Sequence, residues 1–383
     1  MAFKKLRVII SGGGTGGHIF PAISIADKLK EVNPQTEILF VGAKGKMEMQ
    51  KVPAAGYEII GLPIAGLQRK LSLGNIMNNI QVPFKWLSSR CKASKILKDY
   101  KPDIAIGVGG YASAPLMEQA AKKHIPTLIQ EQNSYAGLTN RMLGGKVGKI
   151  CVAYTGMERF FPAEKIVITG NPIRKDIVPA THETIKEGLD FYGLDPDKKH
   201  LFIVGGSLGS YTLNKSVMKW IKDGCAGGDE VEIIWQCGKY YKEEVDAFMK
   251  EAVAQGIGGK AINQVHCFDF IKRMDLAYAV SDLIISRAGA STVSELCAAH
   301  KAVIFVPSPN VAEDHQTHNA MALLNKEAAM LVKDAEAEEK LMATAIYTLK
   351  SPKKISSLEN NIAALAMPNS DMAIVEQAYK ILG

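Results

Sequence analysis

Long hydrophobic runs are missing from these 383 residues. No stretch approaches the ~18 uninterrupted apolar residues of a membrane-spanning helix. The run Val8–Ile10 in MAFKKLRVIISGGG is far too short for the core of a secretory signal. A cytoplasmic protein that does not cross the membrane is expected. Cysteine is sparse: Cys91, Cys151, Cys225, Cys237, Cys267 and Cys297 leave no pair closer than twelve positions. That excludes CxxC and zinc-ribbon spacing and fits six thiols in a reducing compartment. Aromatic residues make up only 7%. No basic stretch is rich in them and no recognition motif appears, so no nucleic-acid partner is expected. There is no GxxxxGK[ST], and a P-loop nucleotidase loses its phosphate cradle.

Apolar residues at 47% and charged residues at 22% are ordinary globular values. The length suits two domains. Charge is uneven: residues 1–170 carry 23 basic and 11 acidic side chains, residues 171–383 carry 23 and 28. The first half therefore presents a positive field to an anionic partner, and a phosphorylated substrate or a membrane surface fits. Short apolar runs predict strands at 6–10, 37–41, 103–108, 127–130, 149–153 and 166–170, then at 201–205, 232–236, 265–268, 283–286 and 302–307. Helix-length segments lie between many of them. That alternation predicts an α/β protein of two Rossmann-like, doubly wound parallel-sheet domains rather than one large sheet. The expected boundaries are 1–170, 171–368 and a C-terminal helix over 369–383 that packs back toward the first domain.

Four strand–glycine–helix turns stand out: VIISGGGTGGHIFPA, IGVGGYASAP, LFIVGGSLGS and IISRAGASTVSE. Helix N-termini after such turns offer N–H donors to phosphate. Gly12, Gly14 and Gly17 satisfy GxGxxG, but the second strand ends in Gly42-Ala43-Lys44, with no acid to hold a ribose. A nicotinamide dehydrogenase is therefore disfavoured. His18, just past the first loop, is a candidate base. His315 and His318 beside Asp314 lack further metal ligands. Asp195-Pro196-Asp197 reads as a polar turn rather than a metal-binding DxD. No cofactor and no metal are expected.

GGGTGGHIFPA (12–22), GGYASAP (109–115), QEQNSYAGLTN (130–140), TGNPIR (169–174), GGSLGS (205–210), SRAGASTVSE (286–295) and DHQTHNA (314–320) occur in this order. Together they resemble the MurG family of undecaprenyl-diphospho-muramoylpentapeptide β-N-acetylglucosaminyltransferases. The resemblance implies a GT-B fold, two Rossmann-like domains around a cleft. It implies inverting transfer of GlcNAc from UDP-GlcNAc to the C4 hydroxyl of the muramoyl unit of lipid I, giving lipid II for peptidoglycan, and with it cell shape and division. UDP-GlcNAc, lipid I and the cytoplasmic face of the inner membrane, bound peripherally, are the implied partners. The N-terminal domain would meet acceptor and membrane, and the C-terminal domain the donor.

By the same resemblance Thr15, Gly16 and Gly17 lie over the donor sugar near the acceptor diphosphate, and Asn133 contacts the donor sugar. Arg174 pairs with diphosphate, Ser207 sits on the donor phosphates and Ile271 meets uracil. The helix start Ala290, Ser291, Thr292, Val293, Ser294 and Glu295 gives N–H groups to phosphate, with Glu295 on the ribose. Gln316 reads GlcNAc hydroxyls, with Asn319 close by. The family commonly has histidine before Glu-Gln-Asn. Here it is Gln130, which cannot titrate near neutrality, so His18 and Glu131 remain as candidate catalytic residues.

Another GT-B enzyme on a UDP sugar, a glycolipid synthase or a UDP-GlcNAc epimerase, is the rival reading. The acceptor-side motifs GGYASAP and QEQN argue against it. Residues 67–92 are the expected membrane contact. Ile76, Ile80 and Phe84 recur every four residues, Leu73, Met77 and Trp86 lie nearby, and Arg69, Lys70, Lys85, Arg90 and Lys92 flank them. Pro83 is expected to break a helix there.

Overall fold

The computed structural model describes residues 5–66 and 82–383. The chain forms two compact units, Met1–Ile173 with Pro368–Gly383, and Arg174–Met367. The first runs β1 (Arg7–Ser11), α1 (Gly16–Val32), β2 (Glu37–Ala43), α2 (Glu48–Ala54), β3 (Glu58–Leu62), α3 (Val82–Tyr100), β4 (Ile104–Gly107), α4 (Ser113–Lys122), β5 (Thr127–Glu131), α5 (Leu138–Gly144), β6 (Lys149–Val152) and β7 (Ile166–Ile168). All pairings are parallel, in the order β3-β2-β1-β4-β5-β6-β7.

The apolar runs are continuous because both faces are covered. Ile9, Val41, Ala105, Ile129 and Val152 pack on one side, with Ala93 and Leu97 of α3 and Leu116 of α4. Their neighbours Val8, Ile10, Phe40, Ile106 and Leu128 point to the other, under Ile25 and Leu29 of α1. This two-residue alternation is the geometry of the pleat.

The second unit runs α6 (His182–Tyr192), β8 (Lys199–Val204), α7 (Tyr211–Lys222), β9 (Val231–Gln236), α8 (Lys242–Ala254), β10 (Val265–Phe268), α9 (Met274–Val280), β11 (Leu283–Ser286), α10 (Ala290–Ala298), β12 (Val303–Phe305), α11 (His315–Leu324), β13 (Met330–Leu331), α12 (Ala337–Leu349) and α13 (Pro352–Ala363). Its sheet order is β10-β9-β8-β11-β12-β13. The last helix, α14 (Ser370–Leu382), returns to the first unit. There Ile374, Val375 and Ala378 join the core under α1, and Asp371 faces Lys28 at 3.5 Å.

Two parallel sheets, not one, are thus present, and each repeats the 3-2-1-4-5-6 order of a doubly wound fold. Ligands in such sheets bind beyond the strand carboxyl ends where the order reverses, here between β1 and β4 and between β8 and β11. No described helix is long and apolar enough to cross a membrane. Of the expected membrane segment, Arg69, Lys70, Leu73, Ile76, Met77 and Ile80 lie outside the described residues. Pro83 lies within α3 as described.

Candidate functional site

At the switch point of the second unit lies a cavity of about 880 Å³. One wall is the turn after β8. Ser210 caps α7, accepting the Leu213 N–H at 3.4 Å. Gly209 has φ +85°, and a Cβ there would stand 2.1 Å from the Cys237 carbonyl oxygen, so the turn passes only as glycine. Ser207 is exposed on this turn and lines the cavity.

Gln236, the last residue of β9, pins two walls together. Its Nε2 donates to the Gly206 carbonyl at 2.8 Å, and its Oε1 accepts the Ile271 N–H at 2.8 Å. Ile271 is buried and gives the cavity an apolar side.

The turn after β11 feeds α10, whose N-cap is Gly289. The first N–H groups of a helix have no partner within it and carry partial positive charge. Thr292 and Glu295 line the cavity, whereas Val293 is turned into the core. Ala290, Ser291 and Ser294 belong to the same first turns but are not among the lining residues.

Glu295 is the centre of a small network. Arg174 donates from Nε at 3.0 Å and Nη2 at 3.2 Å, and the Tyr278 hydroxyl donates at 3.2 Å. Burial pulls the Arg174 guanidinium down, but the Glu295 carboxylate outweighs it and holds the group charged. Burial, then Glu295, pushes the Tyr278 phenol well above its ordinary range. Arg174, read from the sequence as a diphosphate partner, therefore pairs in this structure with the carboxylate expected on the ribose.

Arg287 was missed in the sequence, although it stands inside SRAGASTVSE. It donates to Ser210 Oγ from Nε at 3.1 Å and Nη2 at 2.7 Å, to the Val306 carbonyl at 2.8 Å, and to Asp334. It ties the glycine turn of β8 to the end of β12. The cavity wall holds Arg174, Lys272 and Arg287 against Glu295 and Asp334, a net of one positive charge. An anionic ligand would depend on helix N-termini as much as on side-chain charge.

Gln316 lines the cavity and accepts the Ser308 N–H at 2.9 Å. Asn319 does not line it. It is fully buried, and its Nδ2 donates to the Ala288 carbonyl at 3.2 Å, bracing the turn before α10. Asp314 accepts from Thr317 Oγ1 at 2.7 Å. Among the described residues no group of three or more His, Cys, Asp or Glu is placed to hold a metal. In Asp195-Pro196-Asp197, the Asp197 N–H bonds Asp195 Oδ1 at 3.0 Å, a local turn.

In the first unit the turns after β1 and β4 meet. Gly110 has φ +76°, and a Cβ on it would stand 2.2 Å from the Gly13 carbonyl oxygen. Thr15 stands at the N-cap position of α1 and is exposed, and Gly16 and Gly17 form the first turn of the helix. Thr15 Oγ1 and His18 Nδ1 are 3.0 Å apart. The His18 ring lies over Gly109, where a Cβ would meet its Cδ2 at 2.9 Å. A side chain at 109 would displace the ring.

Glu131, the other candidate catalytic residue, is buried. Its carboxylate is 2% exposed and accepts from Asn133 N, Asn133 Nδ2, Gly137 N and Asn140 Nδ2 at 2.9–3.2 Å. Burial raises its proton affinity and the four donors oppose that rise. This carboxylate braces the 132–137 turn. Asn133, expected on the donor sugar, turns its Nδ2 to Glu131. Gln130 is buried, donating to Asn171 Oδ1 at 2.8 Å and bonded to Gln132, so it ties β5 to the 169–173 segment.

The chain matches the glycosyltransferase family 28 N-terminal domain over residues 8–152 and the family 28 C-terminal domain over residues 200–374. A UDP-N-acetylglucosamine–N-acetylmuramyl-(pentapeptide) pyrophosphoryl-undecaprenol N-acetylglucosamine transferase of Phocaeicola vulgatus is 53% identical, covering 99% of this chain and 97% of the relative. The protein of the same name from Parabacteroides distasonis is 51% identical over 99% of both chains. The crystal structure of Acinetobacter baumannii MurG aligns with TM-score 0.76 at 27% identity, covering 98% of this chain and 99% of that one. A Neisseria meningitidis UDP-GlcNAc 2-epimerase aligns at TM-score 0.63 with 13% identity, a likeness of fold alone.

Proposed function

The chain belongs to the family of UDP-N-acetylglucosamine–N-acetylmuramyl-(pentapeptide) pyrophosphoryl-undecaprenol N-acetylglucosamine transferases, and on that premise we propose how its two units divide the reaction. The second unit holds UDP-GlcNAc in the cavity after β8, β9 and β11. Uracil lies on the apolar side at Ile271, the ribose hydroxyls on Glu295, and the diphosphate at the starts of α7 and α10 with Ser207. Gln316 takes the sugar hydroxyls. The observation that carries this is the convergence of two helix N-termini, a buried apolar wall and Glu295 on one cavity.

Arg174 moves within its own network. When Glu295 accepts ribose hydroxyls, its oxygens are shared, and the guanidinium gains a reason to turn to the diphosphate. The glycine turns of the first unit serve the muramoyl acceptor. His18 takes the proton of the C4 hydroxyl as that oxygen attacks the anomeric carbon. The bond to UDP breaks on the opposite face, so the α-linked donor gives a β-linked product. A His18 that donates from Nδ1 to Thr15 Oγ1 presents an unprotonated Nε2, as a base requires. The Thr15 contact orients the ring in either tautomer.

The leaving diphosphate gains charge as its bond breaks. Helix N-termini and the cavity's cations meet that charge without a divalent ion. Calorimetric UDP-GlcNAc binding and turnover are expected to be unchanged in excess chelator. Activity lost to chelator and restored by Mg²⁺ or Mn²⁺ would contradict this assignment.

The enzyme is placed peripherally on the cytoplasmic face of the inner membrane, where the acceptor's lipid tail resides. On α3, Phe84 is 75% exposed and Leu87 58% exposed, whereas Trp86 packs against the core. Lys85 stands beside them. Arg90 pairs with Glu118 at 3.1 Å, and Lys92 donates to the Gly61 carbonyl at 2.8 Å. The test therefore falls on Phe84 and Leu87 rather than Trp86. Replacing both with serine is expected to weaken binding to anionic vesicles about 30-fold, since each exposed side chain contributes roughly 1 kcal/mol on insertion. UDP affinity should stay as it is. Unchanged vesicle binding would exclude this stretch of α3 from the contact.

A further inference from the structure

Beneath the first glycine turn lies a carboxylate that the reaction outlined above leaves without a role. Glu48 opens α2, a place where a charged side chain is ordinarily solvated, yet it is 0% exposed. Its Oε2 accepts the Gly14 N–H at 3.1 Å and its Oε1 accepts the Ala43 N–H at 2.9 Å. One side chain thus joins the end of β2 to the turn after β1. The fit is close on both sides. A Cβ on Gly13 would stand 2.3 Å from Oε1, and a Cβ on Gly42 2.6 Å from Cγ. On the far side of the turn, Tyr111 covers Gly14, where a Cβ would lie 3.2 Å from Cε1.

A buried carboxylate is costly unless hydrogen bonds replace its water, and bonds from backbone N–H to a charged oxygen are among the stronger ones. One oxygen anchors the side chain to the end of β2 and the other holds the turn at Gly14. A carboxamide cannot do the same. It has a single acceptor oxygen, and its NH₂ would be set against one of the two donors.

We propose that Glu48 is a positioning residue for the transfer step: by holding Gly13 and Gly14 it sets Thr15, and through Thr15 the His18 ring. The proposal rests on the assignment of this turn to the acceptor side. Thr15 is the next residue after Gly14, and its hydroxyl stands 3.0 Å from His18 Nδ1. A shift of the turn is therefore passed to the base at a single remove. Gly13 and Gly42 are glycines because Glu48 occupies the space where their side chains would be.

Glu48→Gln keeps the volume and removes the second acceptor. Displacing a base by ~1 Å costs about 10- to 100-fold, so kcat for transfer is expected to fall in that range. The KM for UDP-GlcNAc and calorimetric UDP affinity should stay within about twofold, because the loss falls on the transition state alone. Hydrogen exchange should quicken in residues 12–19 and remain unchanged in the second unit. Gly13→Ala acts through the same contact. It should lower kcat in the wild-type background and add nothing further once Glu48→Ala has cleared the space.

Wild-type kcat in Glu48→Gln overturns the proposal. So do additive effects of Gly13→Ala and Glu48→Ala, or a parallel fall of kcat, donor affinity and melting temperature. If the wild-type protein binds UDP-GlcNAc but glycosylates no acceptor, the assignment of the turn fails. The hold of Glu48 on that turn is then decided by the exchange measurement alone.

Discussion

Replacing His18 with alanine is expected to lower kcat by about 10²–10⁴ and leave UDP affinity unchanged, because a general base acts on the transition state and not on the donor complex. The geometry supports this role over that of Glu131. His18 is only partly buried, its Nδ1 faces Thr15 Oγ1, and its Nε2 edge lies at the meeting of the two glycine turns. Glu131 is enclosed by four donors in a turn it organises. Thr15→Val should share part of the His18 effect, since it removes the hydroxyl 3.0 Å from His18 Nδ1 that orients the ring. Steady-state kinetics with both substrates varied checks this. A His18→Ala enzyme that keeps most of its turnover would move the residue from proton transfer to packing.

Glu295→Ala should weaken UDP and UDP-GlcNAc together. A carboxylate accepting two ribose hydroxyls makes charge-assisted bonds, and losing them costs about 1.5–3 kcal/mol, roughly 10- to 100-fold in affinity. The structure adds a second consequence. Arg174 loses both of its bonds to Glu295, and the buried Tyr278 hydroxyl loses its acceptor. A guanidinium released toward the diphosphate would recover part of the loss. Hence Arg174→Ala and Glu295→Ala should combine non-additively in a double-mutant cycle read by calorimetry. Equal UDP affinity in wild type and Glu295→Ala would remove Glu295 from the nucleotide site.

The sheets were largely legible because parallel strands buried on both faces read as unbroken apolar runs. VIIS, ILFV and ICVA announce themselves. β3 did not, since EIIGL carries Gly61 and shows only partial burial. β13 is two residues long and holds its place by pairing with β12, which no local pattern encodes.

The lining of the cavity was legible where a motif marks a glycine turn or a helix start, as with Ser207, Thr292 and Glu295. It was not legible where tertiary register decides the contact. Gln236 earns its position from the alignment of β9 with the Gly206 and Ile271 backbones. Arg287 reaches Ser210, 77 positions away in sequence. Asn319 reads as a polar residue near a motif, yet the packing of α11 turns it to the Ala288 carbonyl. Glu48 sits in KGKMEMQ, a charged segment that looks solvated. Only the fold shows that a glycine turn closes over it.

The most direct test is an assay of the purified protein with labelled UDP-GlcNAc and a lipid I analogue. Label should pass to the acceptor as a single β-linked GlcNAc, with UDP released in equal amount and no metal required. UDP-GlcNAc epimerised or hydrolysed, with the acceptor left unglycosylated, would contradict the account.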